Sequence, residues 1–530
     1  MSEHGSEATE PSTKPDFLSA RAGAVVFAGI VLVAATHLSF FYSGGLTNLY
    51  GDALAHVEGA RRLVDSLTPG YSEIGSAWLP LFHIFAAPLA LNKFLWGSGL
   101  AGGLVSAAAY AVTAWFLFRL SLLMNRNLAA AAVSLAVFLF CPTMAYLGSV
   151  ALTESLTLMW AVIVVYALFR FREYGRMRAL YGAGIAAFLG TLTRYDGWYL
   201  LPFAAIFTLM ARDEPWKNRF RYAAVFSALA GAGPLLWLVH NTVRFGNALE
   251  FYNGPYSAKA IYAHQIATTA FRYPTDGSLL ISARYFLADL LLVIGIWPLA
   301  LAALGLIVWA VEAGERARRS AVLLFLVPFI FYVQSMAHAA VPIYVPTLFP
   351  FTYYNLRYGI EMLPAVAAFP SFLLSSRLSP ATRTVLLMLV LGAILGQDVS
   401  FLSKGATNLA VVQEAIRNNP CKAKKQQTVI EFLRQRYDGR MIVVAAGKWP
   451  CLMPALGISF RRTISETNRR YWKQLRYGPS EDVGWIVRGD GDVVDELMRA
   501  YPQAFRAFDL LERDQIPGEG SVEIYRRHGQ

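Results

Sequence analysis

Apolar runs of bilayer-crossing length recur along this chain, and no other feature restricts its fold so severely. Residues 22–42 carry no Asp, Glu, Lys or Arg. A run of about 20 such residues spans a bilayer and exceeds the ~7–15-residue apolar core of a signal peptide. No small-residue cleavage site stands out after it, so it reads as a retained span. Backbone polar groups cannot go unpaired in lipid, and runs of this length meet that condition as helices. Successive runs predict eleven spans, at roughly 22–42, 97–118, 128–148, 153–169, 179–193, 197–211, 222–242, 281–311, 321–338, 359–376 and 384–402. Residues 78–96 are apolar too, but Pro80 and Pro88 interrupt them, which favours a helix lying in the membrane interface over a twelfth crossing.

Composition agrees: 56% of the 530 residues are hydrophobic and only 15% are charged, where soluble chains carry about a quarter. The net charge of +12 does not point to nucleic acid, because the cations sit between spans. Arg119 and Arg126, Arg170 to Arg178, Arg212 to Arg221, Arg316 to Arg319, and Arg377 with Arg383 fill short connectors. Positive connectors stay cytoplasmic. The expected protein is therefore a multi-pass plasma (inner) membrane protein with a cytoplasmic N-terminus. Residues 1–21 are expected to form a disordered cytoplasmic tail, 22–403 the transmembrane domain, and 43–96 its long outward first loop.

After residue 403 helical patterns alternate with short strand-like runs such as "MIVVAA" and "GWIVRG", which predicts a small soluble α/β domain over 404–530, outside the membrane. It holds Cys421 and Cys451, an even pair in a compartment where disulfides persist. A bridge between them is the hypothesis; Cys141 lies within a span.

The outward segments collect the ionisable residues that a membrane protein has least reason to keep near its apolar core. The first loop, "YGDALAHVEGARRL", supplies Asp52, His56 and Glu58, and His83 follows. Glu154 opens a span, Arg194 and Asp196 share a tight turn, Lys259 and His264 lie in a loop, and Arg357, Tyr358 and Glu361 begin another span. Each has an ordinary alternative. Asp52 and Glu154 suit helix N-termini, Arg194 and Asp196 can pair with each other, and Arg357 among tyrosines can anchor at the interface. Convergence of several segments on one membrane-level cavity is what favours function. Phosphate-cradling loops, HExxH, CxxC and GxSxG are absent from the sequence, so neither a metal nor a cofactor is expected.

Three stretches, "YGDALAHVEGARRL", "GSAWLPLFH" and "LRYGIEMLP", resemble the GT-C superfamily of integral membrane glycosyltransferases. The resemblance covers roughly residues 22–400 and is narrowest toward the bacterial branch related to protein O-mannosyltransferases and the lipid A aminoarabinose transferase. It implies a GT-C fold, a polyprenyl-phosphate-linked sugar as donor, and a lipid, glycan or protein acceptor at the bilayer surface. It also implies that an outward first-loop Asp, here Asp52, is the catalytic base. O-mannosyltransferases typically carry an adjacent Asp-Glu pair there, whereas Ala53 follows Asp52. Arg194, Arg357 and Lys259 are the expected cations for the donor phosphate, with His56, His83, Glu154, Asp196 and Tyr358 as further cavity candidates. The competing expectations are a flippase for lipid-linked sugars, a non-catalytic envelope scaffold, and a ligase-like transferase with a diphosphate-linked donor.

Overall fold

Leu100–Asn125 and Glu154–Tyr174, 26 and 21 residues long, pack side by side at the centre of a helical bundle. The structure is a computed structural model and describes residues 18–374 and 379–529. Most of the expected N-terminal tail, and Arg377, lie outside the described residues.

Six described helices are long and apolar enough to cross a membrane: Ala20–Ser43, Leu100–Asn125, Glu154–Tyr174, Trp216–Phe245, Ser320–Ala337 and Pro380–Phe401. The expected single span 281–311 is two helices, Leu279–Val293 and Ile296–Val311, set at 115°. The physical cause is Gly295, whose φ of +97° suits glycine and ends the first helix. Gln397 reaches into the break, donating to the Ile294 carbonyl at 2.9 Å and accepting from the Trp297 N–H at 3.1 Å. The remaining expected spans are shorter or less regular. Leu128–Leu139 stops before Pro142, whose ring cannot continue a helix. Met177–Thr191 and Asp196–Met210 have 15 residues each, and Leu356–Leu374 alternates 3-10 and α turns. A count of eleven therefore depends on these shorter pieces. Leu81–Ala90, within the segment expected to lie in the interface, has 10 residues, about 15 Å and half a bilayer core.

Charge separates the two ends of the bundle. Glu173 pairs with Arg126 at 3.3 Å and Arg318 at 3.5 Å, and Arg212 donates to the Arg172 carbonyl, so four Arg-bearing connectors meet at one end. The Asp196–Met210 helix runs about 22 Å from there to the turn holding Arg194, so the ionisable candidates occupy the opposite end.

The C-terminal region builds a five-stranded mixed sheet in the order β2-β1-β3-β5-β4. Its strands are β1 (Met441–Val443), β2 (Thr463–Ile464), β3 (Val483–Gly489), β4 (Phe508–Ile516) and β5 (Gly520–Arg527). β1 runs parallel to β2 and β3, and β5 pairs antiparallel with β3 and β4. Trp485, Ile486 and Val487 of the central strand are fully buried. Cys421 and Cys451 are bridged, as hypothesised. The sheet domain seats on the first loop: Ser66 and Phe460 form a parallel bridge, Ser459 donates to Asp65 at 2.6 Å, and Asn468 donates to Glu73 at 3.1 Å.

Candidate active site

Tyr50 caps the first-loop helix Gly51–Val64, which places Asp52 in its first turn. A carboxylate is favoured there by the helix dipole, and this one keeps 44% of its side chain exposed. Its Oδ2 accepts from the Arg357 guanidinium. Arg357 belongs to the 3-10 segment Leu356–Met362 and is 5% exposed.

From Arg357 a chain of alternating charge runs inward. Its Nε lies 3.0 Å from Glu154 Oε1, and the same oxygen accepts from Arg194 Nη1 at 3.1 Å. Glu154 is 1% exposed. Burying a carboxylate is tolerable only with opposite charge at hand, and two guanidinium groups provide it. Arg194 also donates to Asp196 at 3.1 Å, to Thr153 at 3.1 Å and to the Tyr332 hydroxyl at 2.9 Å, and lies 3.8 Å from Glu361. Tyr332 in turn donates to Asp196 at 3.2 Å. The aromatic rings fix the planes of the cations: Arg357 stands 5.4 Å over Tyr50 and 5.1 Å over Tyr358, and Arg194 4.8 Å over Tyr358. Stacking of this kind orients a guanidinium without consuming its donors.

Asp52, Glu154, Arg194, Asp196, Arg357, Tyr358 and Glu361 are thus brought together from four separate segments. His56 and His83 form a pair of their own, ring nitrogens 2.9 Å apart, with His56 stacked on Trp78 at 4.2 Å. Gly59 permits this, because a Cβ there would meet the His83 ring at 3.2 Å. Burial, His83 and the two arginines push His56 well below its usual pKa, so it stays neutral. Glu58 points away from the cluster, 4.0 Å from Arg62. Lys259 is exposed, its ammonium 5.8 Å over Tyr252, and His264 is exposed on the same helix; neither touches the charged chain. Among the described residues no three His, Cys, Asp or Glu side chains group as a metal site.

A narrow groove with a cavity volume of about 50 Å³ meets the cluster at Asp196 and Glu361. Its other walls are apolar, among them Ala161, Val164, Leu200, Phe325 and Phe331. Three participants give little sign of themselves in sequence. Tyr332 sits in the apolar run "FIFYVQSM", Tyr50 precedes the first-loop helix, and Glu414, whose carboxylate accepts the Asn355 and Leu356 N–H groups just ahead of Arg357, lies in an amphipathic stretch of the C-terminal region.

Two comparisons bear on this arrangement. The family described as dolichyl-phosphate-mannose-protein mannosyltransferase matches residues 85–237. Among solved structures, apo ArnT from Cupriavidus metallidurans is similar in fold, with a TM-score of 0.51 at 14% identity over 96% of this chain and 98% of that one. No curated protein matches in sequence. Both matches agree with the GT-C resemblance carried by the sequence, and the fold is ArnT-like.

Proposed function

We propose that this chain is an inverting glycosyltransferase that moves a sugar from a polyprenyl-phosphate carrier to an envelope lipid, glycan or protein on the outer face of the membrane. One observation carries the reading: a half-exposed carboxylate, Asp52, is held against the buried Arg357, which the buried Glu154 links to Arg194, and that chain of charges ends at an apolar groove reached at Asp196 and Glu361. Of the carboxylates in the chain of charges only Asp52 is open to an incoming acceptor; Glu154, Asp196 and Glu361 are buried.

The chemistry divides accordingly. A lipid phosphate is already a good leaving group, so no strong general acid is required on that side. Asp52 takes the proton of the acceptor hydroxyl, whose oxygen attacks the anomeric carbon. The bond from that carbon to the phosphate oxygen breaks with inversion, and polyprenyl phosphate departs with the electron pair. Negative charge grows on the phosphate as this happens. Arg357 and Arg194, held by carboxylates and rings, are preorganised to stabilise it. In this reading the first units of the polyprenyl chain lie along the apolar groove, and its contact with Asp196 and Glu361, two neighbours of Arg194, supports a headgroup directed toward the arginines. Lys259 has no part in this arrangement.

The test is sugar transfer by purified protein in nanodiscs from a panel of radiolabelled polyprenyl-phosphate sugars, with membrane extract as acceptor. Release of polyprenyl phosphate, lost in Asp52→Asn, is the expected result and names the sugar. Absence of turnover with every donor, alongside leaflet-to-leaflet movement of the lipid-linked sugar in proteoliposomes, replaces transfer with transport.

A further inference from the structure

Arg357 is held from behind by a residue of the C-terminal region. Glu414, on the helix Ala410–Arg417, is 3% exposed. Its two carboxylate oxygens accept the backbone N–H groups of Asn355 and Leu356, at 2.7 and 2.9 Å. These are the first amides of the 3-10 segment that carries Arg357. Such amides have no partner inside their own segment, and Asn355 sits in the left-handed region at φ +56°, a conformation that asparagine tolerates better than most residues. One carboxylate therefore both satisfies the buried start of the segment and fixes the direction in which it leaves the preceding loop.

The same helix grips the other half of the site. The Tyr50 hydroxyl donates to the Val411 carbonyl at 2.9 Å, and Tyr50 is both the cap of the Asp52 helix and one of the rings under Arg357. One turn further on, Asn418 donates to the Tyr353 carbonyl at 3.3 Å and Arg417 stacks 4.6 Å over the Tyr353 ring. The two segments that present Asp52 and Arg357 are 305 residues apart in sequence, and this helix touches both.

We infer that Glu414 is a positioning residue for the sugar donor, and that the helix Ala410–Arg417, at the start of the C-terminal region, serves as a clamp which sets Arg357 against Asp52. This rests on the reading of Arg357 as a donor-phosphate cation. It departs from the simpler view of that region as an acceptor-docking module, and the two views separate kinetically. A misplaced Arg357 harms the donor side, whereas a loosened docking module harms the acceptor side.

The experiment compares full-length wild type, Glu414→Ala and Glu414→Gln in nanodiscs by steady-state transfer and by hydrogen exchange of a peptide covering 353–362. Glu414→Ala is expected to lower kcat/KM for the polyprenyl-phosphate sugar at least about tenfold, with the acceptor KM within about twofold of wild type, and to release the Asn355 and Leu356 amides to exchange. Glu414→Gln keeps the volume and one acceptor oxygen but turns an NH2 group toward the second amide. It is expected to recover part of the donor-side loss, and it stands in for the alanine variant should that fail to fold. Unchanged donor kcat/KM, or a loss confined to acceptor KM, overturns the clamp. If wild type transfers no sugar, the proposed function has failed. The clamp is then judged on exchange alone: protection at 355 and 356 that survives removal of the carboxylate overturns it.

Discussion

Replacing Asp52 with asparagine separates chemistry from stability in a way the geometry makes quantitative. The substitution preserves shape and one acceptor oxygen but removes the charge that faces Arg357. Because 44% of the Asp52 side chain is exposed, the lost ion pair is of the weak kind, worth about 0–1 kcal/mol. Arg357 keeps Glu154 at 3.0 Å and its two rings, so no buried charge is stranded. Removing a general base slows turnover by about 10²–10⁴-fold, or about 3–5 kcal/mol on the barrier. Arg357→Ala is the contrasting perturbation. It strips a guanidinium that is only 6% exposed and leaves Glu154 with Arg194 alone, for which breaking a buried pair predicts a loss of about 3–5 kcal/mol. The assay pairs denaturation midpoints in nanodiscs with initial rates of polyprenyl phosphate release at saturating donor. Asp52→Asn should denature with wild-type protein and barely turn over. Turnover within about threefold of wild type would refute the base assignment, and a large loss of stability would refute the view of the Asp52 pair as peripheral.

Other parts of the molecule give independent tests. Burial pushes the Glu58 carboxyl from 4.5 up to about 8, with Arg62 opposing and Glu466 adding to the rise. The native state thus keeps a proton that the unfolded chain releases, and stability falls as pH rises through that window. Glu58→Gln removes this penalty, so its advantage over wild type should grow between pH 5 and 8 by at most about 4 kcal/mol; melting curves that shift in parallel at both pH values would exclude it. Replacing Cys421 and Cys451 by serine opens a bridge spanning 30 residues and should destabilise the C-terminal domain by about 3–4 kcal/mol, seen as faster limited proteolysis. Unchanged digestion would show that the bridge does little. Ala161→Trp fills part of the apolar groove and should raise the donor KM about tenfold or more while sparing acceptor KM; a normal donor KM would place the polyprenyl chain elsewhere.

Much of this protein was legible in its sequence because lipid leaves a chain few options. Apolar length marked the six helices of crossing length among the described residues, and the Arg-rich connectors marked one end of the bundle, since each signal is local. The same holds for the α/β character of the C-terminal region, where helical and strand periodicities differ over a few residues. Helix breaks were harder. Nothing in the composition of 281–311 marks Gly295 as the point of a 115° bend, because that break is completed by Gln397, 102 positions later. The site was half legible. Asp52, Glu154, Arg194, Asp196 and Arg357 stand out as charges at span ends, but Lys259 and His264 stand out equally and touch none of them. What a sequence registers is the expense of a charge near lipid, and it is silent on which partner relieves it. Which charges meet depended on tertiary structure: Arg357 finds Asp52 from 305 residues away, Tyr332 enters from an apolar helix, and Glu414 arrives from the C-terminal region. Opposite charge within reach and satisfied backbone amides are conditions on neighbours in space, and only the packed chain supplies them.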